Sequence, residues 1–140
     1  MGSLSNLIET QKVKKDERRI KKVDKNDFIE LAKQYKEKTV KEKTTTVKQY
    51  NRSIVVVEFA RRMANGICQL CDNNAPFLNK DGEPFLEVHH IKELANGGSD
   101  SFDNVIALCP NCHRKIHILK DENDREFLAV LARDYCKELL

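Results

Sequence analysis

Glu87-Val88-His89-His90-Ile91, then Asn96-Gly97-Gly98-Ser99, then Asn104-Val105-Ile106-Ala107-Leu108-Cys109-Pro110-Asn111-Cys112-His113, closing on His117, is the stretch on which the fold turns. All four histidines of the chain lie within it, as do two of the five cysteines. Two more cysteines, Cys68 and Cys71, stand just upstream. So many soft or borderline metal ligands in so short a span are hard to explain as core packing. Phe85–Ile91 has the composition of a strand, and Leu94–Asn104 that of a loop. Val105–Leu108 is a return strand, and Pro110 suits the first position of a helix running to about Leu119. The expected core is strand, loop, strand, helix.

Working outward, residues 52–65 form a helix candidate with Ile54, Val55, Val57, Phe59, Ala60 and Met63 on its apolar side. Asn65-Gly66 is its stop, and Arg52, Arg61 and Arg62 are expected to be exposed. At the other end, Asp121 or Asp124 should cap a last helix whose buried face is Phe127, Leu128, Val130, Leu131, Tyr135 and Leu139. Toward the N-terminus the pattern weakens. Leu7, Ile8, Val13, Ile20 and Val23 are widely spaced and make a weakly amphipathic helix at best. Asp27 looks like a cap for a better stripe, Phe28 to Tyr35, ending near Lys38, and Lys41–Lys48 reads as a linker.

The whole chain has 140 residues, enough for one compact domain and an extension. With 34 % charged residues and no Trp, a small core helped by bound metal is the expectation. No apolar run approaches the ~20 residues needed to span a membrane, and no secretion signal is visible. Two Cys-x-x-Cys pairs in such a chain favour metal over disulfides, hence a reducing, cytoplasmic setting. Residues 11–50 hold 14 Lys/Arg against 7 Asp/Glu, whereas residues 51–140 hold 11 against 14. The basic end could sit on phosphate, or be a solvated helix surface.

Cys68-x-x-Cys71 and Cys109-x-x-Cys112 are separated by 37 residues. Each turn can place two thiolates on one ion, and two turns complete a closed tetrahedral shell. That is a structural zinc site. Cys136 stands alone in the last helix and is assigned no role. A zinc finger of two cysteines and two histidines is a poor alternative, because 41 residues separate Cys71 from His113 where about 12 are expected.

His113 and His117 are four apart on the expected helix, so one face can present both to an ion. His89 or His90 comes from the facing strand, where adjacent side chains point oppositely, so both serving one site requires local distortion or different roles. Three protein ligands leave a position open, as in a catalytic metal site. A histidine free of metal can then serve as a general base near neutral pH. Asn104, by composition alone, could be no more than a turn residue before the strand.

Leu86-Glu87-Val88-His89-His90-Ile91, the Gly97-Gly98 turn, Asn104, and Leu108-Cys109-Pro110-Asn111-Cys112-His113 with His117 closely resemble the HNH (ββα-metal, or His-Me finger) endonucleases. The likeness covers about residues 52–120 and is greatest to the zinc-ribbon-bearing bacterial branch that includes modified-cytosine restriction nucleases. It implies an α+β fold: a small ββα-metal core with a four-cysteine structural zinc site and flanking helices. A basic helical arm or linker over 1–50 would precede a nuclease domain over 51–140.

The resemblance further implies that His90 is the general base and that Asn104 holds the loop and orients it. His89 and His113 would bind the catalytic divalent metal, with His117 as third ligand, as in the His-rich colicin-type DNases. Glu87 would support the site. Many members carry Asp where this chain has His89, and an all-His shell suits Zn, Ni, Mn or Co better than Mg. Cleavage of DNA would leave a 5′-phosphate and a 3′-hydroxyl, in restriction or defence against phage. Lys92, Arg114, Lys115, Arg61 and Arg62 are the candidate phosphate contacts. Nothing resembles a base-reading element, so specificity would reside in another domain or partner protein, and cutting both strands would favour a homodimer. The competing reading is a non-catalytic zinc-ribbon module that binds nucleic acid or protein.

Overall fold

The computed structural model describes residues 4–37 and 50–140, with side chains over 10–36 and 50–140. The expected linker at 41–48 and the helix end near Lys38 lie outside the described residues. The order of elements is α1 (Leu4–Lys21), α2 (Lys25–Glu37), α3 (Arg52–Ala64), β1 (Glu87–His90), β2 (Val105–Leu108), α4 (Pro110–Leu119) and α5 (Glu122–Leu139). Short 3-10 turns, Leu94–Asn96 and Phe102–Asn104, punctuate the connection between the strands. The fold is a mixture of helices and one small antiparallel hairpin, as expected.

β1 and β2 pair Glu87 with Leu108, Val88 with Ala107, His89 with Ile106 and His90 with Val105. β1 is shorter than the expected 85–91 strand. Phe85 leaves the ladder and stacks on Phe77 at 4.7 Å between ring centroids. At the other end the Ile91 N–H donates to the Asn104 carbonyl, outside the regular strand. All four residues of β2 are buried, which suits a strand covered on both faces. One side of the core holds Ile54, Val55, Phe59 and Phe102; the other holds Leu86, Ile106, Leu108 and Leu128.

The N-terminal segment forms two helices that pack onto α3. α1 contributes Ile20, and α2 contributes Phe28 and Ala32, all nearly solvent-free. The weak amphipathicity of α1 is genuine, for Val13 remains 38 % exposed. Asp24, not Asp27, caps α2: the Asp24 carboxylate accepts from the Asp27 N–H at 2.8 Å, three residues on, as an N-cap must.

Arg62 departs from its expected exposure. It donates to Glu58 at 2.8 Å, to the Val23 carbonyl at 2.7 Å and to the Ile20 carbonyl at 3.1 Å, with Phe28 beneath it. The carbonyls freed where α1 ends are thereby satisfied by a side chain of α3. Arg52 is likewise engaged, donating to the carbonyls of Tyr35 and Asp100.

α5 begins at Asp121, whose side chain accepts from the Asp124 N–H. Its fully buried side chains are Leu128, Ala132 and Cys136, spaced by four. Phe127 and Val130, expected inside, are 52 % and 41 % exposed. The helix meets the core along a stripe narrower than its apolar content suggests. Asn65 ends α3 with φ +50°, a left-handed stop that turns the chain into Cys68.

Candidate metal centres and active site

The four cysteines converge. Cys68, Cys71, Cys109 and Cys112 place their sulfurs within 4.8 Å of one another. Cys68 is buried and follows the α3 stop directly; Cys109 is the N-cap of α4 and Cys112 lies in its first turn. Cys71 and Cys109 sulfurs are 4.0 Å apart. Tetrahedral zinc with Zn–S of about 2.3 Å spaces its sulfurs by about 3.8 Å, so this donor set fits zinc.

Metal-free, the thiols of Cys68, Cys109 and Cys112 ionise unequally. Burial works to raise Cys68, but N–H groups of Cys109, Cys71 and Leu70 outweigh it and bring that thiol down to about 7. Burial, and then hydrogen bonds to the neighbouring sulfurs, push Cys112 far up. Burial also raises Cys109. A divalent cation supplies the charge that lets all four be thiolates.

The histidines form a second, separate group. His89, His113 and His117 offer nitrogens within 4.8 Å of one another. His113 and His117 Nε2 atoms are 3.0 Å apart across one turn of α4. Strand alternation turns His89 toward α4, where its ring meets those of His113 and His117 edge-on at about 5 Å. His89 is 6 % exposed, whereas the His117 side chain is 44 % exposed, so the group is closed on one side and open on the other. Three ligands with an open side fit a catalytic divalent metal.

Burial first, then repulsion from His113, His117 and His90, pushes His89 down to about 4. It is therefore neutral near neutral pH, the form in which an imidazole can bind a metal. Glu87 accepts from His113 Nδ1 at 3.1 Å, which fixes that ring and leaves Nε2 for the ion. Glu93, absent from the expected set, stands 3.9 Å from His117 Nδ1.

His90 is not in this group. It pairs instead with Asp100, Nε2 to Oδ1 at 2.9 Å. The two adjacent histidines thus have different surroundings. Asn104 staples the connection between the strands. Its Oδ1 accepts from the Lys92 N–H at 2.9 Å, while Nδ2 donates to the carbonyls of Lys92 and Ser99. Gly98 permits that tight path, since a Cβ there would come within 1.9 Å of the Lys92 oxygen.

Of the candidate phosphate contacts, Lys92, Arg61, Arg114 and Lys115 are exposed. Lys115 pairs with Asp124 at 3.4 Å. Arg62 is committed to the helix junction described above. A cavity of about 290 Å3 adjoins the histidine group and is lined by His89, His117, Lys92, Lys120 and Arg125. Lys120 and Arg125 carried no motif; Lys120 ends α4 three residues after His117, and Arg125 is brought to the cavity by α5. Among the described residues, no helix is long and apolar enough to cross a membrane.

Comparison with known proteins agrees with this geometry. Residues 68–118 match the family model described as HNH endonuclease. Over 84 residues the chain is 46 % identical to the type IV methyl-directed restriction enzyme EcoKMcrA of Escherichia coli K12, covering 60 % of this chain and 30 % of that protein. The solved structure of the type IV phosphorothioation-dependent restriction endonuclease ScoMcrA superposes with a TM-score of 0.53 at 27 % identity, covering 89 % of this chain and 25 % of that one. The chain therefore spans under a third of the length of either relative.

Proposed function

Starting from an HNH endonuclease domain over residues 68–118, we propose that the chain is the cutting module of a restriction endonuclease that hydrolyses DNA to 5′-phosphate and 3′-hydroxyl ends. The observation that carries this reading is the separation of ligands. Four thiols gather at one point, three imidazoles at another, and a fourth imidazole, His90, is left free of both. A module that only binds has no use for an open ligand set beside an unliganded histidine.

In this reading His90 accepts a proton from the attacking water. Asn104 keeps the loop beside it in one conformation through three hydrogen bonds. His89, His113 and His117 hold the divalent ion, with Glu87 orienting His113. When bound, that ion stabilises the charge developing on the phosphate and on the leaving oxygen. The all-imidazole shell favours Zn2+, Ni2+ or Mn2+ over Mg2+. Lys92, Arg114 and Lys115 attract the backbone without reading bases.

Recognition of the target then resides in a further domain or partner protein, and cutting both strands calls for two copies. We divide the chain into a basic arm over 1–50, whose described helices α1 and α2 pack on α3, and a nuclease unit over 51–140. Reduced thiols and a DNA substrate suit the cytoplasm, in defence against foreign DNA.

The test is cleavage of supercoiled plasmid with Mn2+, Ni2+ or Mg2+ added in turn, beside a structured RNA. Metal-dependent nicking of the plasmid supports the proposal. Preference for the RNA would move the substrate class. Binding without cutting under every metal would leave a zinc-ribbon binding module.

A further inference from the structure

The loop between the strands carries a carboxylate that neither metal site uses. Asp100 Oδ1 lies 2.9 Å from His90 Nε2, and the two side chains are 27 % and 23 % exposed. A contact so open to water contributes little to stability. Yet the loop around it is fixed from several directions. Arg52 of α3 donates through Nε to the Asp100 carbonyl at 3.0 Å. The same guanidinium donates to the Tyr35 carbonyl of α2 at 2.7 Å. Phe102, two residues on, is 2 % exposed and packs edge-to-face on Phe59 at 5.0 Å. Asn104 holds Ser99 by its carbonyl at 2.8 Å. So many anchors on a short irregular segment are hard to account for by the pair's small stabilising effect.

The chemistry of a neutral imidazole supplies the reason. One ring nitrogen carries the proton and the other the lone pair, and the partner of the first decides which is which. A carboxylate can only accept, so it selects the tautomer with hydrogen on Nε2. The lone pair is then on Nδ1. When Nδ1 takes a proton from water, the ring stays held through Nε2 by the same carboxylate oxygen.

We propose that Asp100 is the positioning residue of His90: it fixes the ring and its tautomer so that Nδ1 is the basic atom, and Arg52 of α3, itself tied to the Tyr35 carbonyl of α2, holds the Asp100 backbone in place. The proposal rests on the nuclease reading for its kinetic consequence, but not for the tautomer itself.

Two measurements test it. The first is nitrogen NMR of the histidines in the zinc-loaded wild-type chain, above the pH at which imidazoles ionise. His90 should be protonated on Nε2, and Asp100→Ala should give a mixture. A wild-type His90 protonated on Nδ1 overturns the proposal whether or not the chain cuts DNA.

The second is steady-state plasmid cleavage with saturating Mn2+. Asp100→Ala and Asp100→Asn should each lose about 10- to 100-fold in kcat, less than the roughly 10²- to 10⁴-fold that general-base catalysis as a whole supplies, with KM and the affinity of the histidine site for Mn2+ within twofold of wild type. The amide of Asn can donate to Nε2 and hold the wrong tautomer, so its shape should not rescue. Asp100→Glu keeps the carboxylate and should recover part of the loss. Wild-type kcat in Asp100→Ala, or full activity in Asp100→Asn, overturns the proposal. An inactive wild type with the Nε2-protonated ring would instead sink the nuclease reading and leave the pairing intact. Should Asp100→Ala not fold, the near-isosteric Asn variant and the wild-type spectrum still decide.

Discussion

Glu87 and His113 meet across the gap between β1 and α4, carboxylate to Nδ1 at 3.1 Å, although 26 residues separate them in sequence. The contact turns the opposite nitrogen of His113 toward His117. Outer partners of this kind set ligand orientation and basicity. Glu87→Gln should therefore weaken Mn2+ or Ni2+ binding at the histidine group by about 10- to 100-fold, read by calorimetric titration, with the zinc content of the cysteine group unchanged. Equal affinities in variant and parent would show that Glu87 is only a surface strand residue.

His90 touches neither group of ligands. His90→Ala should keep zinc content, circular dichroism and Mn2+ affinity, while plasmid cleavage falls by roughly 10² to 10⁴. Parental cleavage rates in this variant would remove His90 from the chemistry.

The cysteine group has a different dependence. With zinc bound, Cys68 would link the end of α3 to the first turn of α4, and binding of structural zinc is itself folding free energy. Cys68→Ser and Cys109→Ser should lose most helical signal at about 37 °C, whereas His113→Ala should stay folded and lose only the open-site metal. If His113→Ala melts like the cysteine variants, the two centres are energetically one.

Acid should act through His89. Folding lowers it to about 4 from a free value near 6.5. A group kept neutral by the fold contributes stability that is fully present above about pH 6.5 and is lost as pH falls toward about 4, because the unfolded chain binds the proton first. With the histidine group metal-free, the urea midpoint should drop across that window, and more steeply in the parent than in His89→Gln. Parallel profiles would contradict a buried neutral His89.

Arg62 acts on the arm. Arg62→Ala would leave the Val23 carbonyl without its donor, the Ile20 carbonyl with the Val23 N–H alone, and Glu58, itself 7 % exposed, without its cation. A loss of about 2–3 kcal/mol is expected in urea denaturation. A change under about 0.5 kcal/mol, the usual size for surface positions, would mean that α1 and α2 are held by apolar contacts alone.

Much of this architecture is legible in residue order because local chemistry punctuates it. Pro110 marks the start of α4, Asn65 and Gly66 end α3, and Asn96-Gly97-Gly98 announces the turn between strands. The i, i+4 spacing of His113 and His117 places them on one face before any packing is known. What is not legible depends on packing between elements. Arg62 sits on a helix face that looks solvated until α1 ends against it. Phe127 and Val130 look like core until α5 proves to touch along one narrow stripe. Asp100 has no periodicity to locate it, for it stands in a loop whose path is set by Asn104 and Arg52.

The pairing of His89 with Ile106 and of His90 with Val105 has one more consequence. Strand side chains alternate, so sliding β1 by a single position would exchange the two imidazoles. His89 would then face the side of the Asp100 loop, and His90 the side of α4. Inserting one residue between Leu86 and Glu87, with composition, charge and every functional group retained, should either be absorbed as a bulge or silence the protein outright. The alignment of two four-residue strands, rather than the identity of either histidine, therefore decides which ring does which job.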